Sequence, residues 1–319
     1  MEYKHITDVK NPVSRIVYGT ASPAMVRGEN MFKLLDEVFA AGVNAFDTAR
    51  SYGMAENALG AWMAARNNRE RVVVLTKGAH PLAGSREPRV TPEAVREDLE
   101  KSLKALQTTY VDIYLLHRDD SKAPVGPLVE TLNELREEGK IGVFGGSNWS
   151  YTRIDEANEY AYSHDMFGFD VSSPAYSLAV QKEDPWGNGC VDISGRDHEA
   201  ERNWYQEKGV EVFAYASLAH GFLSGKFRAD ETKRAVKTLD SFAVKGYCCQ
   251  ENYDRLARAE QLAAEKNAAV PQIALAWVLQ QPLAPMAICS ASAIKRIQTD
   301  LKALGLKLSE EELCWLSDG

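Results

Sequence analysis

Asp47, Tyr52, Lys77 and His117 are the residues of this chain best suited to move a proton. Each stands where an apolar run gives out. Asp47 and Tyr52 lie in Asn44-Ala45-Phe46-Asp47-Thr48-Ala49-Arg50-Ser51-Tyr52-Gly53, Lys77 ends Val72-Val73-Val74-Leu75-Thr76-Lys77, and His117 ends Ile113-Tyr114-Leu115-Leu116-His117. A tyrosine hydroxyl is a weak acid, with a reference pKa of about 10. A nearby ammonium favours its phenolate and so makes it the readier donor. Asp47 would keep Lys77 charged and in place, and His117 would hydrogen-bond a carbonyl oxygen and turn it toward Tyr52. Such a set suits protonation of an oxygen that gains negative charge as hydride reaches a carbonyl carbon. No side chain delivers hydride, so the reaction requires a cofactor. Taken singly, each residue reads more simply as a solvated strand end, a cap, loop packing or a rim histidine. Their joint position after successive strand-like runs favours chemistry.

The elements that must position them alternate along the chain. Strands are expected at 16–20, 44–49, 72–77, 112–117, 141–145, 170–173, 210–216 and 286–289. Helical patterns fall at 30–41, 56–66, 127–138, 151–162, 199–208, 253–266 and 271–280, with a closing helix at 295–304. Another begins at Thr91-Pro92-Glu93-Ala94, with a threonine cap, proline in the first turn and an early acid. Its apolar residues Val95, Leu99, Leu103 and Leu106 recur at helical spacing. Strands alternating with helices imply parallel βαβ units, and about eight of them predict a single (β/α)8 TIM barrel over residues 1–319. In such a barrel the strand C-terminal ends converge on one mouth. The irregular stretches 179–197 and 219–250 would extend as loops over that C-terminal face. No GxGxxG follows the first strand, which counts against a doubly wound dinucleotide fold.

Composition excludes several other classes. The 319-residue, 35.4 kDa chain is 45% apolar and 26% charged, ordinary for a globular protein with a large core. Its net charge of −8 argues against nucleic acid or an anionic membrane surface as partner. No apolar run approaches the roughly 20 residues that span a bilayer, and the first residues lack a signal-peptide pattern. Cys190, Cys248, Cys249, Cys289 and Cys314 are sparse and lack CxxC spacing, so neither a disulfide framework nor a metal site is expected. A cytoplasmic location is the default. The adjacent Cys248 and Cys249 read as ordinary thiols before they read as a redox pair.

Over nearly its full length the chain resembles an aldo-keto reductase. The resemblance is carried by Phe46-Asp47-Thr48-Ala49 with Tyr52-Gly53, Leu75-Thr76-Lys77, and Leu115-Leu116-His117-Arg118. It continues in Gly139-Lys140-Ile141 with Gly145-Gly146-Ser147-Asn148-Trp149, and in Ala214-Tyr215 with Gly221-Phe222-Leu223-Ser224-Gly225-Lys226. It implies a barrel, NADPH-dependent carbonyl reduction, and Asp47, Tyr52, Lys77 and His117 as catalytic residues. Tyr52 would be the general acid in reduction and, as phenolate, the base in alcohol oxidation. By the same resemblance Ser147 and Asn148 would hold the nicotinamide carboxamide, and Tyr215 would stack on its ring. Ser173 stands where the family usually has glutamine or asparagine. Gly19, Thr20 and Asp47 would border the cofactor, and Ser217, Leu218, Gly221, Leu223, Ser224, Gly225 and Lys226 would wrap its pyrophosphate. Ser290, Ala291, Ser292 and Arg296 would meet the adenosine 2′-phosphate. Asp300, where many relatives carry asparagine, would either repel that phosphate or bond the adenine amine. NADPH is the expected cofactor, with NADH as the alternative.

Substrate contacts are expected from Tyr52, His117, Arg118, Trp149 and Trp186 around the mouth. Ala21 replaces an aromatic common in the family and opens one wall, and Arg118-Asp119-Asp120 would suit a polyhydroxylated, sugar-like carbonyl compound. The partner is then a small molecule, the protein a monomer or small homo-oligomer. Two other readings compete: an NADPH-binding regulatory subunit with little turnover, and an aldolase or isomerase using Lys77 as a Schiff-base nucleophile.

Overall fold

The computed structural model describes residues 1–187 and 189–319; Asn188, inside the expected irregular stretch 179–197, lies outside the described residues. A short antiparallel ribbon comes first, β1 (Tyr3–Lys4) against β2 (Val13–Ser14), with Tyr3 opposite Ser14. Two-residue strands are too short to show a period, and the sequence reading passed over them.

A closed parallel barrel follows: β3 (Ile16–Gly19), β4 (Ala45–Asp47), β5 (Val73–Gly78), β6 (Val111–Leu116), β7 (Ile141–Ser147), β8 (Val171–Ser173), β9 (Glu211–Ala214) and β10 (Met286–Cys289). The strand order is that of the chain, with β10 beside β3. This is the expected (β/α)8 barrel. β5 and β6 are buried at every position, because strands covered on both faces read as unbroken apolar runs. The register sets Gly19 beside Asp47, Asp47 beside Leu75, Lys77 beside Leu115 and Leu116 beside Gly146, which brings the C-terminal strand ends level.

Packing divides the chain into two compact units, residues 1–173, 209–211 and 290–294, and residues 174–208, 212–289 and 295–319. In the first, the helix Pro92–Leu106 starts as expected: Thr91 Oγ1 accepts from the Ala94 N–H at 3.3 Å, and proline occupies the first turn. Val95, Leu99, Leu103 and Leu106 form its buried stripe. The helix Tyr151–Ser163 is capped by Ser150, whose hydroxyl accepts from the Arg153 N–H at 3.3 Å.

Further departures from the expectation lie beyond residue 209. The stretch 219–250 contains the helices Thr232–Thr238 and Ser241–Tyr247, the latter capped by Asp240. The helix at 295–304 is not the closing one. Ile294–Leu301 passes into a 3₁₀ turn, Lys302–Gly305, and the chain closes with Glu310–Asp318. Ser309 and Glu312 form a capping box there, a signal present in the sequence and not used. β9 ends two residues early, where Ala216 takes φ 52°, a left-handed value incompatible with a strand. Among the described residues no helix is long and apolar enough to cross a membrane, and no cluster of His, Cys, Asp and Glu could hold a metal ion.

Candidate active site

The first unit brings Asp47, Tyr52, Lys77 and His117 together. Asp47 closes β4, Lys77 is the penultimate residue of β5, and His117 is the first residue beyond β6. The His117 N–H donates to Gly78 O at 2.8 Å, which continues the β5–β6 ladder and fixes where the imidazole emerges. Lys77 and Asp47 are buried, and the Lys77 ammonium donates to Asp47 Oδ1 and, at 3.1 Å, to Thr48 O. It also lies 5.3 Å from the centre of the Tyr52 ring and interacts electrostatically with that phenol. The Tyr52 and His117 rings meet edge to face, 5.6 Å apart at 77°. One ammonium thus joins the carboxylate to the phenol.

Electrostatics correct one expectation. Burial of the Tyr52 hydroxyl raises its pKa above 10, outweighing the pull of Lys77 and of Arg118 toward phenolate, while Asp47 adds to the rise. Burial works against charge on Lys77, but Asp47 and Tyr52 overcome it and the ammonium is held above its ordinary range. The Asp47 carboxyl is itself raised by burial, offset in part by Lys77. His117 is held well below 6.5 by burial and by the cations Lys77 and Arg118, with His80 adding to the effect, so its imidazole is neutral.

Two neighbours escaped the sequence reading. Ser51 Oγ lies 3.2 Å from His117 Nδ1. The His80 ring stands 4.8 Å from that of His117, with its Nδ1 2.9 Å from Pro81 O. Burial lowers the pKa of His80, against the bond to Pro81, and Arg118 lowers it further. Its signal was its place three residues past Lys77, on the same strand exit.

Ser147 ends β7, and its hydroxyl donates to Ser173 O at 3.0 Å. Asn148, at φ 60°, donates from Nδ2 to Ser147 Oγ at 3.2 Å and to His117 O at 3.4 Å. Ser147, Asn148 and Ser173 therefore form one buried polar row beside His117. Gly19 ends β3 and Thr20 follows it, its N–H donating to Asp47 O at 2.8 Å. Trp149 differs from its expected place at the mouth. Its indole is fully buried, 5.0 Å from Phe169, and donates to Arg118 O at 3.1 Å. Gly146 makes room for it, since a Cβ there would come within 2.4 Å of the indole. Trp149 thus supports Arg118 from beneath and offers no open face.

In the second unit Tyr215 follows β9 and lies edge-on to Trp186 at 6.4 Å. Trp186 stacks on Phe242 at 5.7 Å and meets His220 at 4.9 Å. Its loop is gathered by Asp184, whose carboxylate accepts from the N–H groups of Trp186, Gly189 and Cys190. Burial opposes that charge, but the backbone donors prevail and push Asp184 down to about 2. From Ala216 to Gly225 the backbone is left-handed at Ala216, Ala219, His220, Gly221 and Gly225. Runs of this kind gather N–H groups into anion-binding concavities, and strained values at alanine and histidine mark functional loops. Within it Ser224 Oγ is buried without a partner, whereas the Ser217 hydroxyl already donates to Ala214 O at 2.9 Å. Leu218 and Leu223 frame the loop, and Lys226 is exposed at its end.

Of the residues expected at an adenosine end, Ala291 O accepts from the Tyr18 hydroxyl at 2.8 Å, and the Ser290 hydroxyl is spent on Gly19 O at 2.8 Å, so it has no proton for a phosphate. Ser292 is exposed. Asp300 is buried with both carboxyl oxygens unpartnered. Burial pushes it up to about 7, against the opposing charge of Arg296. A buried acceptor without a donor fits an amine such as that of adenine and does not fit a phosphate. A separate cavity of about 600 Å³ in this unit, bordered by Arg196, Glu251 and Arg255, contains none of these residues.

Comparison with known proteins agrees with this geometry. The family model described as "Aldo/keto reductase family" matches residues 15–316. The chain is 27% identical over its whole length to "Uncharacterized oxidoreductase YrpG" of Bacillus subtilis (strain 168), covering 95% of that protein. It is 29% identical over 86% of its length to "Probable aldo-keto reductase 1" of Glycine max, covering 75% of it. It is also 28% identical over 95% of its length to "Probable voltage-gated potassium channel subunit beta" of Oryza sativa subsp. japonica, covering 91% of it.

Proposed function

The chain belongs to the aldo/keto reductase family, and from that premise we propose that it reduces an aldehyde or ketone to its alcohol, reversibly, with Tyr52 as the acid and NADPH as the cofactor. The family supports an oxidoreductase that uses a nicotinamide cofactor on a small carbonyl substrate; the residue roles are our reading. The observation that carries it is the buried Lys77 ammonium joining Asp47 to Tyr52 beside a neutral His117.

A bound nicotinamide cofactor would supply the hydride for the carbonyl carbon. His117 orients the carbonyl oxygen through an N–H, and Tyr52 gives it a proton as negative charge develops there. Lys77 steadies the resulting phenolate, and Asp47 keeps Lys77 charged. In the reverse direction the phenolate takes the alcohol proton. We assign Gly19, Thr20, Asp47, Ser147, Asn148 and Ser173 to the nicotinamide end, with Tyr215 as the stacking residue. The loop with Ser217, Leu218, Gly221, Leu223, Ser224, Gly225 and Lys226 takes the pyrophosphate. Ala291, Ser292 and Arg296 take the adenosine phosphate, and Asp300 the adenine amine. Ser290 serves by holding Gly19. A single barrel domain over 1–319, acting in the cytoplasm as a monomer or small homo-oligomer, completes the reading. Its substrate side, with Tyr52, His117 and Arg118, favours polyhydroxylated carbonyl compounds. Oxidation of NADPH and of NADH, followed at 340 nm against sugar-derived and apolar aromatic aldehydes, tests it. Turnover confined to the apolar set contradicts the polyhydroxylated substrate, and no turnover contradicts the reductase.

One relative's name, a potassium channel subunit beta, favours a second reading as a cofactor-binding regulatory subunit. The intact proton-donating set speaks against it. The raised pKa of Lys77 speaks against a Schiff-base aldolase, which needs a neutral amine.

A further inference from the structure

Arg118 is a cation that the protein leaves without a counter-charge. Its Nε is buried without a hydrogen-bond partner, and among the described residues no carboxylate pairs with its guanidinium. Neither adjacent acid pairs with it. Asp119 takes two bonds from Arg153, at 3.0 and 3.3 Å, and Asp120 Oδ1 accepts from the Lys122 N–H at 3.0 Å. The backbone of Arg118 is held by the buried Trp149 indole. Its charge acts on Tyr52, His80 and His117, the phenol and imidazoles of the proton-donating site. Those imidazoles are neutral and Lys77 is already balanced by Asp47, so Arg118 is the cation beside them that has no ion-pair partner.

Desolvating part of a guanidinium without a partner is costly, and such an arrangement is kept where a ligand supplies the missing charge. The planar fork matches a carboxylate or phosphate through two parallel hydrogen bonds. We infer that Arg118 receives an oxyanion carried by the substrate, so that the carbonyl compound reduced here bears a carboxylate or phosphate in addition to its reacting carbonyl. This rests on the reductase reading and narrows its substrate class. The alternative role, direct stabilisation of the developing alkoxide, would serve charged and uncharged substrates alike.

The test compares substrates that differ only by the anion: 4-oxobutanoate against butanal, and erythrose 4-phosphate against erythrose, with NADPH, on the wild type, Arg118→Gln and Arg118→Lys. The wild type should prefer the anionic member of at least one pair by about 10- to 100-fold in kcat/KM, chiefly through KM. Which pair responds identifies carboxylate or phosphate as the source. The preference should fall with added salt, collapse in Arg118→Gln and return in part in Arg118→Lys. Calorimetric titration with 4-hydroxybutanoate should show binding that butan-1-ol lacks and that Arg118→Gln removes. Equal use of both members by the wild type, or a preference retained in Arg118→Gln, overturns the inference while leaving the reductase standing. Should the glutamine variant not fold, the wild-type preference and its salt dependence decide alone. Turnover of none of the four compounds overturns this inference, while the reductase reading falls only if the aromatic aldehydes also fail.

Discussion

Ser51 Oγ stands 3.2 Å from His117 Nδ1, within hydrogen-bond reach of the imidazole. A neutral ring has one nitrogen that donates and one that accepts. If Nε2 is to donate to a carbonyl oxygen, Nδ1 must accept, and the Ser51 O–H is the donor beside it. Ser51→Ala removes one neutral hydrogen bond, about 1 kcal/mol, and should lower kcat about fivefold, with Ser51→Thr restoring it. Nitrogen-15 shifts of His117 should show a mixture of tautomers in the alanine variant. An unchanged shift would assign Ser51 to loop structure alone.

Lys77 and Asp47 stabilise one another inside the barrel, so removing either leaves a buried charge alone. Lys77→Met should lose about 3–5 kcal/mol of stability in denaturant titration. The double variant Lys77→Met with Asp47→Leu should lose less than Lys77→Met alone, since no charge is then stranded. A double variant that is weaker still would place the cost in packing.

The pH dependence follows from His117 and Tyr52. His117 is held below 6.5 in the fold, so under that pH the unfolded chain binds a proton that the fold does not. Its contribution to stability is full above pH 6.5 and is lost as pH falls through the lowered folded value. Wild-type melting temperature should therefore drop below pH 6.5 more steeply than that of His117→Gln. Tyr52 stays protonated past its ordinary value of 10, so kcat/KM for reduction should be flat from pH 6.5 to 10 and fall only beyond that. An alkaline limb centred below 10 would contradict the account.

Asp300 works in the opposite direction. Its carboxyl is pushed up to about 7, so the fold holds a proton that the unfolded chain loses, and stability declines as pH rises from about 4 to about 7. Asp300→Asn should raise the melting temperature at pH 8, by a free energy of at most about 4 kcal/mol, and should change little at pH 4. Measured with cofactor, the same variant should bind NADPH less tightly if the carboxylate accepts from the adenine amine.

The barrel and its proton-donating residues were legible because unbroken apolar runs mark strands covered on both faces, and because parallel strands carry their last residues to one side. The run Met286–Cys289 was placed to the residue. What stayed hidden depends on contacts distant in sequence. Ser51 and His80 are unremarkable in their own segments and gain meaning only against the His117 ring. The burial of Trp149 could not be read from a tryptophan after a strand, because it depends on the bare backbone of Gly146 and on Phe169. Lys77 favours the Tyr52 phenolate as expected, but burial outweighs it. The ammonium is visible in the sequence, and the enclosure that outweighs it is not.

The Tyr52→Phe variant puts the proton-donating role to its most direct test. It keeps the ring against His117 and removes only the acidic hydrogen. NADPH affinity by fluorescence titration should stay within about twofold of wild type, while single-turnover reduction of a carbonyl substrate should slow by about 10²- to 10⁴-fold. Reduction at a rate near that of the wild type, with cofactor binding intact, would show that the proton comes from elsewhere.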